Sequence, residues 1–214
     1  MDLRELNLKL TKESLKKETP RDILIIQAIH SINELTKIIN TLVANLRERY
    51  GYYAPKSART DDIEKLLDLV SKKKKEELGL DFDINDLNSI SEIADEIKSL
   101  IKLLNSQEKY LEKVAKEICS NTTKVAGYLV AARLIDHAGS LKHLAEMPSS
   151  TIQVLGAEKA LFRHIKTGAR APKFGVIFTH ENITKANSEN KGKAARKLAA
   201  EISKASKIDY FRKK

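Results

Sequence analysis

Two long repeats of apolar residues constrain the fold of this chain more than any other feature. In the first, aliphatic or small residues recur at alternating spacings of three and four from Ile25 to Leu46. The second repeat runs from Ile93 to Ile118 with the same spacing, and only Gln107 interrupts it. Such spacing lines one face of an α-helix with apolar side chains. The main seam positions are Ile25, Ile32, Leu35, Ile39, Leu42, Ile93, Ile97, Leu100 and Leu104.

Two helices of similar length bury their seams best against each other, which predicts an all-α chain with an antiparallel coiled-coil hairpin over residues 19–118. Thr19 as N-cap, Pro20 at the first helical position and Asp22 at the third predict where the first helix begins. Residues 89–92 read Ser-Ile-Ser-Glu, the spacing of a capping box, and predict the start of the second helix. A pair of helices in a compact bundle is the alternative, but repeats kept over this length favour the hairpin.

The segment between the seams, residues 51–88, is predicted to form a helical tip. Its first residues, Gly-Tyr-Tyr-Ala-Pro at 51–55, are expected to end the first helix. Residues 60–62 are expected to cap a short helix that ends in the lysines at 72–75, and residues 80–86 are expected to form an exposed turn. Because cations near a helix C-terminus complement its dipole, we interpret the lysine run as a helix-end feature rather than a nucleic-acid site.

The positive charge of the chain is confined to its second half. Of a formal net charge of +10, residues 121–214 carry +11, from 18 basic and 7 acidic side chains. Residues 1–120 carry 21 basic and 22 acidic side chains and are nearly neutral. Segregation of this size indicates a polyanionic partner for the basic half.

Several functional classes find no support in the sequence. The single cysteine, Cys119, cannot form an internal disulfide and is expected to be a small buried residue. His137 and His143 stand six apart rather than the four of a zinc-binding helix, and Gly192-Lys193 lacks the rest of a phosphate-binding loop. We therefore predict no metal, no cofactor, no catalytic residue and no enzymatic activity. With no signal peptide or membrane-spanning run, a soluble cytoplasmic protein that does not contact membranes is expected.

One short helix carries the strongest candidate for a binding surface. It is predicted to begin after Gly156 and to end at Gly168, and Lys159, Arg163 and Lys166 share one of its faces. Its apolar residues Ala160, Leu161, Phe162 and Ile165 are predicted to face inward or to lie in the core. Basic residues continue into the following loop and into a final helix over residues 191–211.

Six blocks of the second half closely resemble the Nop domain: AARLI (131–135), AGSL (138–141), STIQ (150–153), GAEKALFRH (156–164), GKAAR (192–196) and IDYF (208–211). Residues 21–28, RDILIIQA, resemble the start of the coiled coil in the same family. The chain as a whole is similar to archaeal members of the nucleolar-protein-five (Nop domain) family, relatives of the eukaryotic box C/D nucleolar proteins.

The resemblance implies a scaffold of the box C/D guide RNA particle for rRNA 2′-O-methylation, present in archaea and dimerising through its coiled coil. It implies that the Nop domain binds a composite surface, a kink-turn of the guide RNA together with the ribosomal-type protein bound to it. The implied RNA-binding residues are Lys159, Arg163, His164, Lys166, Arg170, Lys173, His180, Lys191, Lys193 and Arg196. Two positions depart from the family pattern: Glu181 follows His180 where the family has proline, and Asn190 replaces a common basic residue.

The resemblance also implies a division into a lead-in (1–18), a coiled-coil domain (19–118) and a Nop domain (119–214). The family's N-terminal domain, which binds the methyltransferase fibrillarin, has no counterpart in this sequence, so this chain is not expected to bind fibrillarin by itself. The main alternative is a dimeric DNA-binding protein with a helix-turn-helix-like basic region over residues 148–168. Against it, the strip offers cations for phosphates but few Asn or Gln side chains for base edges. A purely structural coiled-coil protein would leave the basic half unexplained.

Overall fold

The computed structural model describes residues 3–18, 21–73 and 75–212 of the chain. Within these ranges every regular element is helical, which confirms the predicted all-α class. Two short 3-10 turns, Ser57–Arg59 and Val176–Thr179, accompany the α-helices. The helices are α1 (Leu3–Glu18), α2 (Ile23–Tyr53), α3 (Ile63–Lys72), α4 (Ile84–Ile118), α5 (Ser120–Ala126), α6 (Tyr128–Ala138), α7 (Leu141–Glu146), α8 (Ser149–Val154), α9 (Glu158–Thr167), α10 (Glu181–Thr184) and α11 (Lys191–Phe211).

The chain divides into two compact units. One comprises residues 30–109, and the other joins residues 1–29 to residues 110–214. Among the described residues, none of the helices combines the length and the apolar character that a membrane span requires. The predicted division at residues 18/19 and 118/119 stays a prediction.

In the unit of residues 30–109, the two long helices pack side by side. Arg49 near the end of α2 donates to the Ser89 hydroxyl near the start of α4 at 3.2 Å, as in an antiparallel pair. The core between them contains Ile39 and Leu46 from α2 and Ile97 from α4. Over the whole predicted seam, Ile25, Ile32, Ile39 and Ile97 are buried, whereas Leu35, Leu42, Ile93, Leu100 and Leu104 are half-buried.

Two helix boundaries differ from the sequence-based predictions. The helix α2 continues through Gly51 to Tyr53 before Pro55 ends it, so the predicted break lies in its last turn. The helix α4 begins at Ile84 rather than after Ser89, inside the segment predicted as a turn. The backbone N–H of Asp83 donates to the Asp86 carboxylate at 3.1 Å, so an earlier capping interaction fixes the start of the helix. Of the predicted start of α2, Thr19 and Pro20 lie outside the described residues.

The tip is closed by hydrogen bonds between its loops and helices. Asp62 caps α3 as predicted, accepting from the backbone N–H of Glu64 and of Lys65. The Glu76 carboxylate accepts from the Ser57 hydroxyl at 2.6 Å and from the backbone N–H of Lys56 at 2.8 Å. These bonds, led by the one from Ser57, hold the pKa of Glu76 below its ordinary value. Their stabilisation is therefore present at neutral pH and is lost as the pH falls through that lowered pKa.

The second unit is built around α11, which packs against α5, α7 and α8. Asp209 of α11 is 2 % exposed, and its carboxylate accepts four hydrogen bonds, from the backbone and side chains of Asn121 and Thr122 at the start of α5. Asp22, also buried, accepts from the backbone N–H of Leu141 at 2.6 Å. Cys119 is fully buried, as the sequence predicted. Two carboxylates thus join distant parts of the chain at helix N-termini.

Candidate nucleic-acid interface

The helix α9 lies apart from the core of its unit. All ten of its residues are described and none is buried. Leu161, Phe162 and Ile165 are 37 %, 64 % and 68 % exposed, so the prediction that they face inward or lie in the core is wrong. The buried residues of this unit come mainly from the start of α2, the end of α4, and α5, α6, α7, α8 and α11, and α9 lies outside the core that these helices form.

The three cations of α9 lie on one face of the helix, as their spacing predicted. Lys159, Arg163 and Lys166 follow at intervals of four and three residues and are all exposed. Within the described part of the chain, no carboxylate forms an ion pair with any of the three. At 3.6 residues per turn, Leu161 and Ile165 lie on nearly the opposite side of the helix from this face, and Phe162 lies between, next to Lys166. The helix therefore presents two surfaces of different chemistry to solvent, which meet near Phe162.

Both ends of α9 are fixed by local hydrogen bonds. Gly156 adopts a φ of +86°, and its backbone N–H donates to the Glu158 carboxylate at 2.6 Å. That carboxylate also lies 3.9 Å from Nδ1 of His137. At the other end, Gly168 terminates the helix in the left-handed conformation, and Nδ1 of His164 donates to the carbonyl of Ala169. The half-buried ring of His164 therefore also has a structural role.

The loop after α9 returns to the segment that precedes it. The backbone N–H of Gly175 donates to the carbonyl of Gln153 at 2.9 Å, and the Gln153 side chain donates to the carbonyl of Lys173 at 2.6 Å. The backbone N–H of Val176 donates to the carbonyl of Leu155 at 2.8 Å. Lys173 is exposed, and these bonds hold its backbone beside the entry to α9. Arg170, in the same loop, is also exposed.

A second group of predicted residues lies at the start of α11. Lys193 and Arg196 are exposed, whereas Lys191 is half-buried with its Nζ 5.3 Å from the ring centroid of Phe178. His180 has a structural role that the sequence did not reveal. Its Nδ1 accepts from the backbone N–H of Asn182 at 3.2 Å and so caps α10. Only its other ring nitrogen is left for a contact with a partner.

Sequence reasoning missed the aromatic residues of this surface. The rings of Phe174 and Phe178 are stacked with centroids 4.8 Å apart, and Phe178 is 40 % exposed. A signal existed, since three of the five phenylalanines of the chain lie between residues 162 and 178. Among the described residues, no cluster of three His, Cys, Asp or Glu side chains is placed to hold a metal ion.

Comparisons with known proteins give the family. A family model described as the Nop family, "snoRNA binding domain, fibrillarin", matches residues 55–214. An uncharacterized NOP5 family protein of Methanocaldococcus jannaschii is 36 % identical over 94 % of this chain and 55 % of its own length. Nucleolar protein 56 of Homo sapiens is 36 % identical over 89 % of this chain and 37 % of its own length. The chain thus spans about half the length, or less, of these relatives.

A solved structure shares the fold. The crystal structure of a fibrillarin/Nop5p complex contains a chain that matches 99 % of this chain with a TM-score of 0.59 and 28 % identity. This chain covers 70 % of that one. Because the family model extends over most of the sequence and includes the exposed helix α9, the chain belongs to the Nop family.

Proposed function

We propose that this chain is a scaffold subunit of the box C/D guide RNA particle for 2′-O-methylation. Its Nop region would bind a kink-turn of the guide RNA together with the ribosomal-type protein seated on that kink-turn. The chain would hold these components in place, while methyl transfer would belong to fibrillarin. Membership of the Nop family and the charge of +11 on residues 121–214 support an RNA-binding role.

The observation that carries the proposal is that α9 exposes two surfaces of different chemistry. A cationic face formed by Lys159, Arg163 and Lys166 suits phosphate oxygens, because each neutralised phosphate releases counterions. An apolar stripe of Leu161, Phe162 and Ile165, which borders this face at Phe162, is also exposed and suits a protein partner. A partner made of RNA and protein would cover both surfaces at once. Arg170, in the loop after α9, and Lys173, held beside the entry to α9, are exposed and add to the positive charge around the helix.

The test is binding to a kink-turn RNA that carries its ribosomal-type protein, measured over a range of salt concentrations. For Lys159→Ala and Arg163→Ala we expect weaker binding and a slope of log K against log salt that is flatter by about one unit per lost contact. For Ile165→Ser we expect weaker binding with an unchanged slope, because no phosphate contact is removed. Lys207→Ala is the matched control, because Lys207 is an exposed cation near the C-terminal end of α11.

The same titration separates the competing functions. Equal slopes for Lys159→Ala and wild type would mean that the strip does not meet phosphates. Tighter binding to plain duplex DNA than to the RNA–protein complex would favour the alternative, a dimeric DNA-binding protein.

We further propose that two copies associate through the paired helices of residues 30–109. Five leucines of these helices remain half-buried, and Ile38 and Leu103 are exposed, so the pair carries apolar surface that a second copy could cover. Ile38→Glu combined with Leu103→Glu should convert a dimer into a monomer in analytical ultracentrifugation. Thr41→Glu combined with Lys102→Glu, at exposed positions of the same helices, should leave the dimer intact. A wild-type chain that sediments as a monomer at all concentrations would defeat this proposal.

A further inference from the structure

The stacked rings of Phe174 and Phe178 form a surface distinct from the faces of α9. Their planes are 11° apart, close to parallel. Both side chains are accessible: Phe178 is 40 % exposed and Phe174 is half-buried. Lys191 places its ammonium group 5.3 Å from the centroid of the Phe178 ring. Two aromatic rings and a cation thus share one site at the start of α11.

The backbone fixes the two rings in this arrangement. Ile177, between them in sequence, is fully buried and anchors the 3-10 turn in the core. The Phe178 backbone N–H donates to the carbonyl of Gly175 at 3.0 Å, while Gly175 and Val176 are bonded to the segment before α9. With Ile177 directed inward, Phe174 and Phe178, which lie before and after it in sequence, remain at the surface. The pair is therefore held in place before any partner binds.

The surroundings of the pair favour one class of partner. Lys173 precedes Phe174 directly, and Lys193 and Arg196 follow Lys191 on α11. Lys173, Lys193 and Arg196 are exposed. An apolar protein surface would have to desolvate these cations without pairing them, which is costly. A nucleotide satisfies both features, since its base stacks on aromatic faces while its phosphate meets a cation. The aromatic pair lies in the same basic half of the chain as the rest of the proposed RNA surface.

We propose that an unpaired nucleobase of the bound RNA adds to the Phe174–Phe178 stack, with Lys191 beside it to meet the phosphate of the same nucleotide. This inference rests on the proposed RNA-binding function and names the element of RNA that is recognised. Unpaired bases are the ones that can leave their own stack and be received by aromatic side chains.

The experiment compares the full chain with a Phe174→Leu/Phe178→Leu variant on a kink-turn RNA that carries its ribosomal-type protein. We expect roughly ten-fold weaker binding for the leucine variant, because leucine keeps apolar volume but offers no π-face. The slope of log K against log salt should not change, since stacking removes no phosphate contact. Lys191→Ala should instead flatten that slope by about one unit.

Two further variants and a spectroscopic signal make the result specific. Phe174→Tyr/Phe178→Tyr keeps both π-faces and should restore binding. Phe211→Leu removes an exposed aromatic ring that packs edge-on against Tyr210, and should bind as wild type does. When 2-aminopurine replaces each unpaired base of the RNA in turn, one position should lose fluorescence on binding wild type and keep it with the leucine variant.

The outcomes separate this inference from the function on which it rests. If wild type does not bind the RNA–protein complex, the proposed function fails and this inference fails with it. If wild type binds and the leucine variant binds within two-fold of it, without a change in 2-aminopurine fluorescence, only the stacking inference fails. A leucine variant with a flattened salt slope would show that the rings act by placing Lys191, and would overturn the stacking role.

Discussion

At the scale of single residues, two buried carboxylates hold the second unit together by capping helices remote in sequence. Asp209, near the end of α11, satisfies the backbone N–H and side chains at the start of α5. Asp22, before α2, satisfies the first backbone N–H of α7. The first backbone N–H groups of any helix lack intrahelical partners, and a carboxylate suits the positive end of the helix dipole. The two aspartates therefore cross-link the start, the middle and the end of the chain.

Asp209→Asn should destabilise this unit markedly. An asparagine presents an NH₂ group where one carboxylate oxygen now accepts, so donors of Thr122 or Asn121 would be left buried without an acceptor. We expect the free energy of unfolding to fall by about 2–4 kcal/mol, seen as a lower midpoint in urea. Glu201→Gln removes the same charge at an exposed position of α11 and should leave the midpoint nearly unchanged. Equal midpoints for the two variants would contradict the capping role of Asp209.

At the scale of elements, the sequence predicts those helix ends that are set by local chemistry. Asp62 starts α3 and Gly168 ends α9, both as predicted, and Ser140 caps α7 by accepting from the backbone N–H of His143. The sequence predicts the start of α4 too late because two capping patterns follow each other in that segment, at residues 83–86 and at residues 89–92. Leu87 and Ile90, which follow the earlier pattern, pack against the core of the tip and favour it.

Part of the candidate site could likewise be predicted from local sequence, and part could not. The spacing of Lys159, Arg163 and Lys166 is a local property, so their common face could be predicted from the sequence. Whether the apolar stripe of α9 is buried depends on which other helices contact it, and no local pattern reports that. The aromatic pair was missed for a related reason, since residues 173–178 are positioned by hydrogen bonds to residues 153–155.

The orientation of α9 depends on Gly156, which leads to a prediction for this element. A Cβ at Gly156 would collide with the side chain of Val176, in addition to the cost of its positive φ. A Cβ at Gly168 would meet the same conformational cost but no neighbouring atom within 4 Å. Gly156→Ala should therefore weaken binding of the kink-turn RNA–protein complex several-fold more than Gly168→Ala. Equal loss in both variants would mean that backbone strain, rather than displacement of α9, limits binding.

At the scale of the whole molecule, the charge segregation and the structural units do not coincide. The excess positive charge begins near residue 121, whereas the unit that carries it also includes residues 1–29. Ile25 and Ile29 of α2 are fully buried in that unit. The sequence-based bounds 19–118 assign both residues to the helical hairpin, because an apolar repeat does not reveal which unit covers each part of a helix.

The division of the chain into units is tested by removing residues from its N-terminus. Residues 3–14 of α1 are all exposed, so a chain that begins at residue 19 should unfold within a few degrees of the full chain. A chain that begins at residue 30 also loses Asp22, Ile25 and Ile29. Two buried isoleucines alone are worth roughly 2–5 kcal/mol each, which approaches the whole stability of a domain. Circular dichroism during heating should therefore show early loss of helix in this shorter chain. If the two shortened chains unfold together, residues 119–214 fold without the start of α2, as the sequence-based domain division predicts.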